Sequence, residues 1–318
     1  MKSIGIIGNE DRPQVRETLA LVLTKLADRF PGSTIGLSEA MAALEKPKGC
    51  SVFSSLYDLA RESEIILSIG GDGTMLMAAR AIQRANPKAK LIGVNVGKLG
   101  FLSEHPPDEL DSLLTELASD SLVTEQRLML SAEVRSDSGE EVTVKMDNLD
   151  TMREGSRTKT VKLDALNEVV IDNYASTRML QLEVFVGEAL LGIIRADGLM
   201  VSTPTGSTGY AVSAGGPIVE PTSPVMLITP IAPHSLNVRP IIVPESATVR
   251  VRCSSDETHQ VLVVADGQEQ IVATTPAEII VKASPNKLQL LRRQERSYFD
   301  LLRTKLFWSA DRRDDGRR

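Results

Sequence analysis

The chain has 318 residues, of which 42% are hydrophobic and 25% charged, the balance of a globular protein that buries one large core or two ordinary ones. A net charge of −6 argues against nucleic acid as a partner, and no run of about 18 apolar residues is available to span a membrane. Two distant cysteines, Cys50 and Cys253, cannot form a disulfide framework and fit a reducing, cytoplasmic setting, while His105, His234 and His259 lie too far apart to suggest a zinc site.

The opening residues, MKSIGIIGNEDRPQ, lack the apolar core of a signal peptide. Ile4-Gly5-Ile6-Ile7 reads as a buried first strand, and Val15, Leu19, Val22, Leu23 and Leu26 then recur at helical spacing. Residues 63–69 (SEIILSI) give the next clear strand and Thr74 to Ala85 the next helix. Leu91 to Asn95 is a third strand, followed by a glycine-rich loop. The segment PPDELDSLLTEL then opens a helix with proline and acidic residues, which a helix N-terminus favours. Strands alternating with helices predict a mostly parallel sheet with helices on its faces.

From about Leu128 the apolar period falls to two. LMLSAEVRS, ALNEVVIDNY, MLQLEVFV, EALLGIIRA, ATVRVRCSS, QVLVVADGQ and AEIIVKAS all read as strands, with a tight turn at 186–189. Residues 136–160 are polar and charged, and are expected to form an extended hairpin or a mobile loop. SYFDLLRTKLFW returns to helical spacing, with Phe299, Leu302, Leu306 and Phe307 on one side, and should pack back on the first half. The final DRRDDGRR reads as a frayed terminus. The expected architecture is a Rossmann-like parallel α/β domain over 1–127, joined by 290–318, and an antiparallel, sandwich-like β-rich domain over 128–289.

Residues 68–74, SIGGDGT, place one aspartate among three glycines where a buried strand ends and a helix begins. In parallel α/β sheets this is where anionic ligands bind, because a helix N-terminus presents unpaired N–H groups and a favourable dipole. Gly70, Gly71 and Gly73 would allow positive φ and a close backbone approach to phosphate, and Thr74 would cap or begin the helix. Neither a P-loop nor a G-x-G-x-x-G dinucleotide signature is present. A carboxylate beside a phosphate cradle repels its ligand, which is tolerable if Asp72 takes the proton of an acceptor hydroxyl during phosphoryl transfer. The alternative is a turn aspartate, for which asparagine would substitute freely. Three further motifs are RADGLMVSTPTGSTGYAVSAGGP at 195–217, the polar pair opening the strand in ALNEVVI, and ADGQ at 265–268. Singly, each is an ordinary turn or strand end.

Together these motifs resemble the NAD kinase family over almost the whole chain, through GGDGTML, GVNVGKLGFL, LNEVVI, DGLMVSTPTGSTGYAVSAGGPIV, PHSLNVRPIIV, ADGQ and SYFDLLRTKLFW. The resemblance implies ATP-dependent phosphorylation of the 2′-hydroxyl of the adenosine ribose of NAD, giving NADP, with Asp72 as proton acceptor and Gly73 beside it. It implies that Asn167 and Glu168 hold the adenosine, with Thr208, Gly209, Tyr210, Ala211, Val212 and Ser213 lining the adenine pocket. Arg195 and Asp197 match positions that contact the dinucleotide, Gln268 matches the DGQ position, and Arg178 is carried over from a less distinctive setting. Mg2+ is expected to arrive with ATP, no metal ligands are assigned, and a homodimer or homotetramer is implied. GNEDRPQ at 8–14 and Lys98 depart from the family's pattern. A lipid kinase sharing the GGDGT loop is the rival reading, although no basic amphipathic helix for membrane docking is present. A catalytically silent nucleotide sensor is the other, and such a protein would have lost Asp72.

Overall fold

Strands covered on both faces read as unbroken apolar runs, and the central strands of the first sheet are built from them. The computed structural model describes residues 2–10, 12–45, 49–136, 142–146, 157–158, 160–174, 179–254 and 260–306. Strands β1 (Ser3–Gly8), β2 (Thr34–Ser38), β3 (Ser51–Phe53), β4 (Ile65–Gly70) and β5 (Lys90–Asn95) run parallel in the order β3-β2-β1-β4-β5. Beyond β5 the sheet continues with Leu288–Arg292, which returns from the far end of the chain, and then with β6 (Val123–Arg127) antiparallel to it.

Helix α1 (Pro13–Arg29) starts with proline at a position whose N–H has no helical partner anyway, and it buries Val15, Leu19, Val22, Leu23 and Leu26. Each such side chain contributes roughly 1.5–3 kcal/mol, enough to hold the helix on the sheet. Helices α2 (Glu39–Leu44) and α3 (Leu56–Arg61) are short, and each is started by a serine, Ser38 and Ser55, that accepts an N–H of the first turn. Helix α4 (Asp72–Ala85) begins at Asp72, two residues before the start expected from its apolar spacing, because Gly71 already takes the capping position. It is buried nearly all round, since the sheet lies on one side and the second domain on another. Helix α5 (Leu110–Ala118) follows a short 3-10 turn, Pro107–Glu109.

The second half is a sandwich of antiparallel strands. In chain order these are β7 (Leu130–Ser136), β8 (Val142–Met146), β9 (Arg157–Thr158), β10 (Thr160–Ala165), β11 (Glu168–Asn173), β12 (Leu180–Val186) and β13 (Ala189–Ala196). They continue with β14 (Gly198–Ser202), β15 (Val225–Ile231), β16 (Ile241–Pro244), β17 (Thr248–Ser254), β18 (Gln260–Ala265), β19 (Glu269–Thr274) and β20 (Ala277–Ala283), before β21 (Leu288–Arg292) rejoins the first sheet. One sheet runs β10-β7-β20-β17-β12-β13 and the other β16-β15-β14-β11-β18-β19-β8-β9. Strands such as β12 and β20 alternate buried and partly exposed residues, so that Leu182 and Ile279 meet Val169 and Val263 of the facing sheet in one core. Strand β14 breaks the alternation and is buried throughout: helix α6 (Tyr210–Ser213) covers its outer face, where Ala211 packs on Met200 and Val170.

Helix α7 (Tyr298–Leu306) differs from its expected face. Tyr298, Leu301 and Leu302 are buried, whereas Phe299 is 59% exposed and Leu306 is also exposed, and Phe307 lies outside the described residues. Of the stretch 136–160, β8 and β9 pair as a short hairpin against β19, and 137–141, 147–156 and 159 lie outside the described residues. Among the described residues no helix is long and apolar enough to cross a membrane.

The two halves are joined through α4. Arg84 forms a two-bond fork with Glu269, at 2.8 and 2.7 Å, and also donates to Asp164 at 2.9 Å and to the Tyr57 hydroxyl at 3.0 Å. Arg80, one turn earlier, approaches the same Glu269 at 3.3 Å and donates to Gln268 at 2.8 Å. Arg84→Ala leaves Glu269 and Asp164 short of a cation. Because Arg80 stays beside Glu269, the expected loss is about 2–3 kcal/mol in chemical denaturation. A loss within 0.5 kcal/mol, the ordinary range of surface substitutions, would show that the fork is not part of the joint.

Candidate active site

The GGDGT loop sits at the carboxyl end of β4, in a cleft of 740 Å3 whose wall includes Gly71, Asp72, Gly73 and Thr74 and, from the other side, Asn9 and Arg12 at the start of α1. Two helix N-termini, those of α1 and α4, thus face one space, as an anion site requires. None of the three glycines has positive φ, which corrects the expectation that they serve as left-handed residues. Gly70 is required for space: a Cβ there would lie 2.7 Å from Thr74 Cβ. Gly71 has φ −108° and nothing near it, and Gly73 has only the Gln268 amide at 3.8 Å, so both leave bare backbone toward the cleft. Thr74 does not cap; its N–H donates to Gly71 O at 3.0 Å inside the first turn.

Asp72 is held by a second loop. Its Oδ2 accepts the Phe101 N–H at 2.8 Å, and its Oδ1 accepts the N–H groups of Leu102 and Ser103, each at 3.1 Å. A carboxylate offers about four acceptor positions. Three are used here, and the position that remains is on Oδ2. Gly100 adjoins the same carboxylate so closely that a Cβ would strike Oδ1. The free exchange of aspartate for asparagine expected of a simple turn therefore does not apply, because an amide oxygen cannot accept all three donors.

A matching arrangement lies across the domain joint. The 265–268 turn between β18 and β19 has positive φ at Asp266 (51°) and Gly267 (68°), where Asp-Gly is favoured. Asp266 is buried and accepts the N–H groups of Leu166, Asn167 and Glu168 at 2.9, 2.7 and 3.2 Å. Two residues on, Gln268 donates from Nε2 to Gly73 O at 2.8 Å. One turn thus grips the Asn167-Glu168 pair and the GGDGT loop together. The 205–208 turn closes on the pair as well. Thr203 N–H donates to Asn167 O at 2.8 Å, a Cβ at Gly206 would lie 2.7 Å from Asn167 Cα, and Gly209 faces Glu168 Oε2 and Asn167 Nδ2.

Thr208 and Val212 are partly buried, Tyr210 and Ser213 exposed, and Ala211 wholly buried in the core. Arg195 and Asp197 are exposed on and after the edge strand β13 and do not line the cleft beside Asp72. Arg178 lies outside the described residues. Sequence reasoning assigned no role to Asn95, Gly100, Asp266, Arg80 or Arg84. Two arginines four apart on an otherwise apolar helix were the available signal for the last pair, since buried cations demand partners. Among the described residues no group of three or more His, Cys, Asp or Glu is placed to hold a metal ion.

Two predictions follow from this geometry. Gly70→Ala should cost about 1–3 kcal/mol through the clash with Thr74, whereas Gly71→Ala should stay within about 0.5 kcal/mol of wild type; equal losses in thermal unfolding would contradict the packing role of Gly70. The second concerns Glu168, which burial and the charge of Asp266 push up to about 8, while burial also lifts Asp266 to about 6 against the pull of its three N–H donors. At neutral pH Glu168 is therefore a proton donor as well as an acceptor. A carboxyl raised on folding contributes stability that is complete below its ordinary 4.5 and is lost as the pH rises through about 8. Glu168→Gln, neutral throughout, should gain on wild type in denaturation midpoint between about pH 5 and 8, and a pH-independent difference would contradict this.

Comparison with known proteins bears on the same segments. Residues 4–122 match the model of the ATP-NAD kinase N-terminal domain and residues 166–293 that of the ATP-NAD kinase C-terminal domain. The NAD kinase of Pseudomonas syringae is 35% identical over 309 residues, covering 97% of this chain and 96% of that protein. The NAD kinase of Moorella thermoacetica is 35% identical over 315 residues, covering 99% and 92%. The fold is shared with yeast NADH kinase complexed with NADH (TM-score 0.83, 22% identity, 98% of this chain and 88% of that one). It is shared also with an NAD kinase from Archaeoglobus fulgidus in complex with ATP (TM-score 0.68, 22% identity, 96% and 98%). The chain belongs to the ATP-NAD kinase family, and its activity is the phosphorylation of NAD.

Proposed function

We propose that the chain transfers the γ-phosphoryl group of ATP to the 2′-hydroxyl of the adenosine ribose of NAD, with Asp72 as general base. The observation that carries this reading is the free acceptor position on Asp72 Oδ2, beside bare glycine backbone at the start of α4. The ribose oxygen attacks the γ-phosphorus, the bond from that phosphorus to the bridging oxygen breaks, ADP leaves, and the hydroxyl proton passes to Oδ2. The phosphates are placed in this reading against the N–H groups of Gly71 and Gly73 and the two helix N-termini. Magnesium bound with ATP would neutralise phosphate charge, and the carboxylates of Glu10 and Glu39, which line the cleft, would be the oxygen donors available to it from the protein.

The adenosine half is assigned to Asn167, Glu168 and Gly209, which face one another, with Thr208, Tyr210, Val212 and Ser213 around them. Gln268 is assigned to holding the two parts of the site in register, and Ala211 to supporting them from the core. Free thiols at Cys50 and Cys253 suit a reducing, cytoplasmic compartment.

Arg195 and Asp197 enter the reading through a second copy of the chain. Strand β13 is a sheet edge and exposes Leu190, Leu191 and Ile193 beside Arg195, with Leu236 exposed in the same half. An apolar edge of this kind, unpaired among the described residues, is a template for association. A homodimer or larger assembly is expected in analytical ultracentrifugation, and a fully active monomer at assay concentration would contradict it.

Asp72→Asn tests the chemistry. Loss of the base should lower kcat by about 10²–10⁴-fold. The Tm should also fall, because one of the loop's N–H donors loses its acceptor. Nicotinamide mononucleotide, which lacks adenosine, should not be phosphorylated by the wild type. Near-normal kcat in the folded variant would remove Asp72 from the chemistry.

A further inference from the structure

Resting on the reading of Asp72 as the base, we propose that Asn95 and Gly100 are positioning residues for the reaction. They shape the 97–103 loop into a backbone cradle that aims one lone pair of Asp72 Oδ2 at the acceptor hydroxyl.

Three successive N–H groups, those of Phe101, Leu102 and Ser103, converge on one carboxylate. Successive N–H groups point the same way only in a tightly curled backbone, and such a curl makes a concave anion site. Here the anion is the protein's own side chain. The curl has an identifiable cause. Asn95, the last residue of β5 and only 3% exposed, donates from Nδ2 to Lys98 O and to Ser103 O, both at 2.9 Å, and its Oδ1 accepts the Gly97 N–H at 2.7 Å. One planar amide thereby fixes both ends of the loop, a task that needs two donors and an acceptor on a short stem. Aspartate lacks the donors and leucine lacks all three.

The backbone closes the same structure. Asn95 N–H donates to His105 O at 2.7 Å, and Gly100 N–H to Ser103 O at 3.2 Å. Behind the loop, Glu104 pairs with Arg292 at 2.9 Å, and Arg296 donates to the Glu104 carbonyl. Gly100 lies in contact with the carboxylate, where a methyl group would displace Oδ1. Asn95 does not line the cleft, so its route to the chemistry runs through the loop and Asp72. The consequence for catalysis is orientation. An unheld aspartate at the head of a helix samples several rotamers, and a reacting group misplaced by about an ångström loses about 10²-fold in rate.

The test is a double-mutant cycle. Asn95→Ala and Gly100→Ala are made in the wild type and in Asp72→Ala, and kcat and the KM values for NAD and MgATP are measured well below each Tm. In the wild-type background each variant should lower kcat by about 10–100-fold with both KM values within about 3-fold, since binding is left and aim is lost. In the Asp72→Ala background neither should lower the residual rate by more than about 2-fold, because the group they position is gone. Unfolding gives a second cycle that needs no residual rate. Gly100→Ala should lower the Tm of the wild type and leave that of Asp72→Ala unchanged, because the atom it strikes is missing. Unchanged kcat in the two variants beside a disabled Asp72→Ala, equal losses in both backgrounds, or a Tm loss in both overturns the positioning role. Near-normal kcat in Asp72→Ala alone overturns instead the reading of Asp72 as base.

Discussion

Glu269 is a buried carboxylate held by two arginines of one helix, and the rest of the site depends on that contact. The net stability of a buried ion pair is small, because desolvation of both partners offsets most of the attraction. Its effect on geometry is large. Any docking of the β-rich domain on α4 that misses the fork leaves a charge buried without a partner, at a cost of several kcal/mol. The fork therefore selects one register between the halves. In that register the next residue back, Gln268, reaches the Gly73 carbonyl with one end of its amide and Arg80 with the other. A hydrogen bond alone would not hold two domains, but it refines a position that the ion pairs have already chosen.

The same electrostatic device is used twice on either side of this joint. Asp72 and Asp266 each receive three consecutive backbone N–H groups, and each thereby pins a loop of the site. The donors offset the repulsion that a carboxylate otherwise imposes on phosphates, and in Asp72 the α4 N-terminus adds to this. The outcomes differ because burial differs. Asp266 is engulfed, and its charge adds to the burial that raises the pKa of its neighbour Glu168; Asp72 keeps one face toward the cleft. A buried anion and a cleft-facing one thus share a design and diverge through solvent access.

Much of the fold was legible because parallel strands and sandwich strands carry different periods, and the change near Leu128 marks where one architecture gives way to the other. Residues 27–62 were not legible, since β3 has only three residues and α2 and α3 only six each, too short for a period to register. In α7 two stripes overlap at Leu302, one through Phe299 and Leu306 and one through Tyr298 and Leu301; only the neighbouring loop decides which is buried. The motifs mark the candidate site, but not its wiring. The partners of Asp72 lie 29–31 residues downstream and those of Arg84 as much as 185 away, and no local spacing encodes such pairings. Ala211 sat inside a motif and turned out to face the core, because a motif constrains backbone as well as side chains.

In the proposed mechanism a single lone pair of Asp72 faces the hydroxyl to be phosphorylated. A crystal structure of the protein with NAD and a non-hydrolysable ATP analogue measures this directly. The ribose 2′-oxygen is expected within about 2.6–3.2 Å of Oδ2, with the three N–H bonds from residues 101–103 kept. A 2′-oxygen bound elsewhere, with Asp72 turned away or its Oδ2 more than about 4 Å distant, would contradict it.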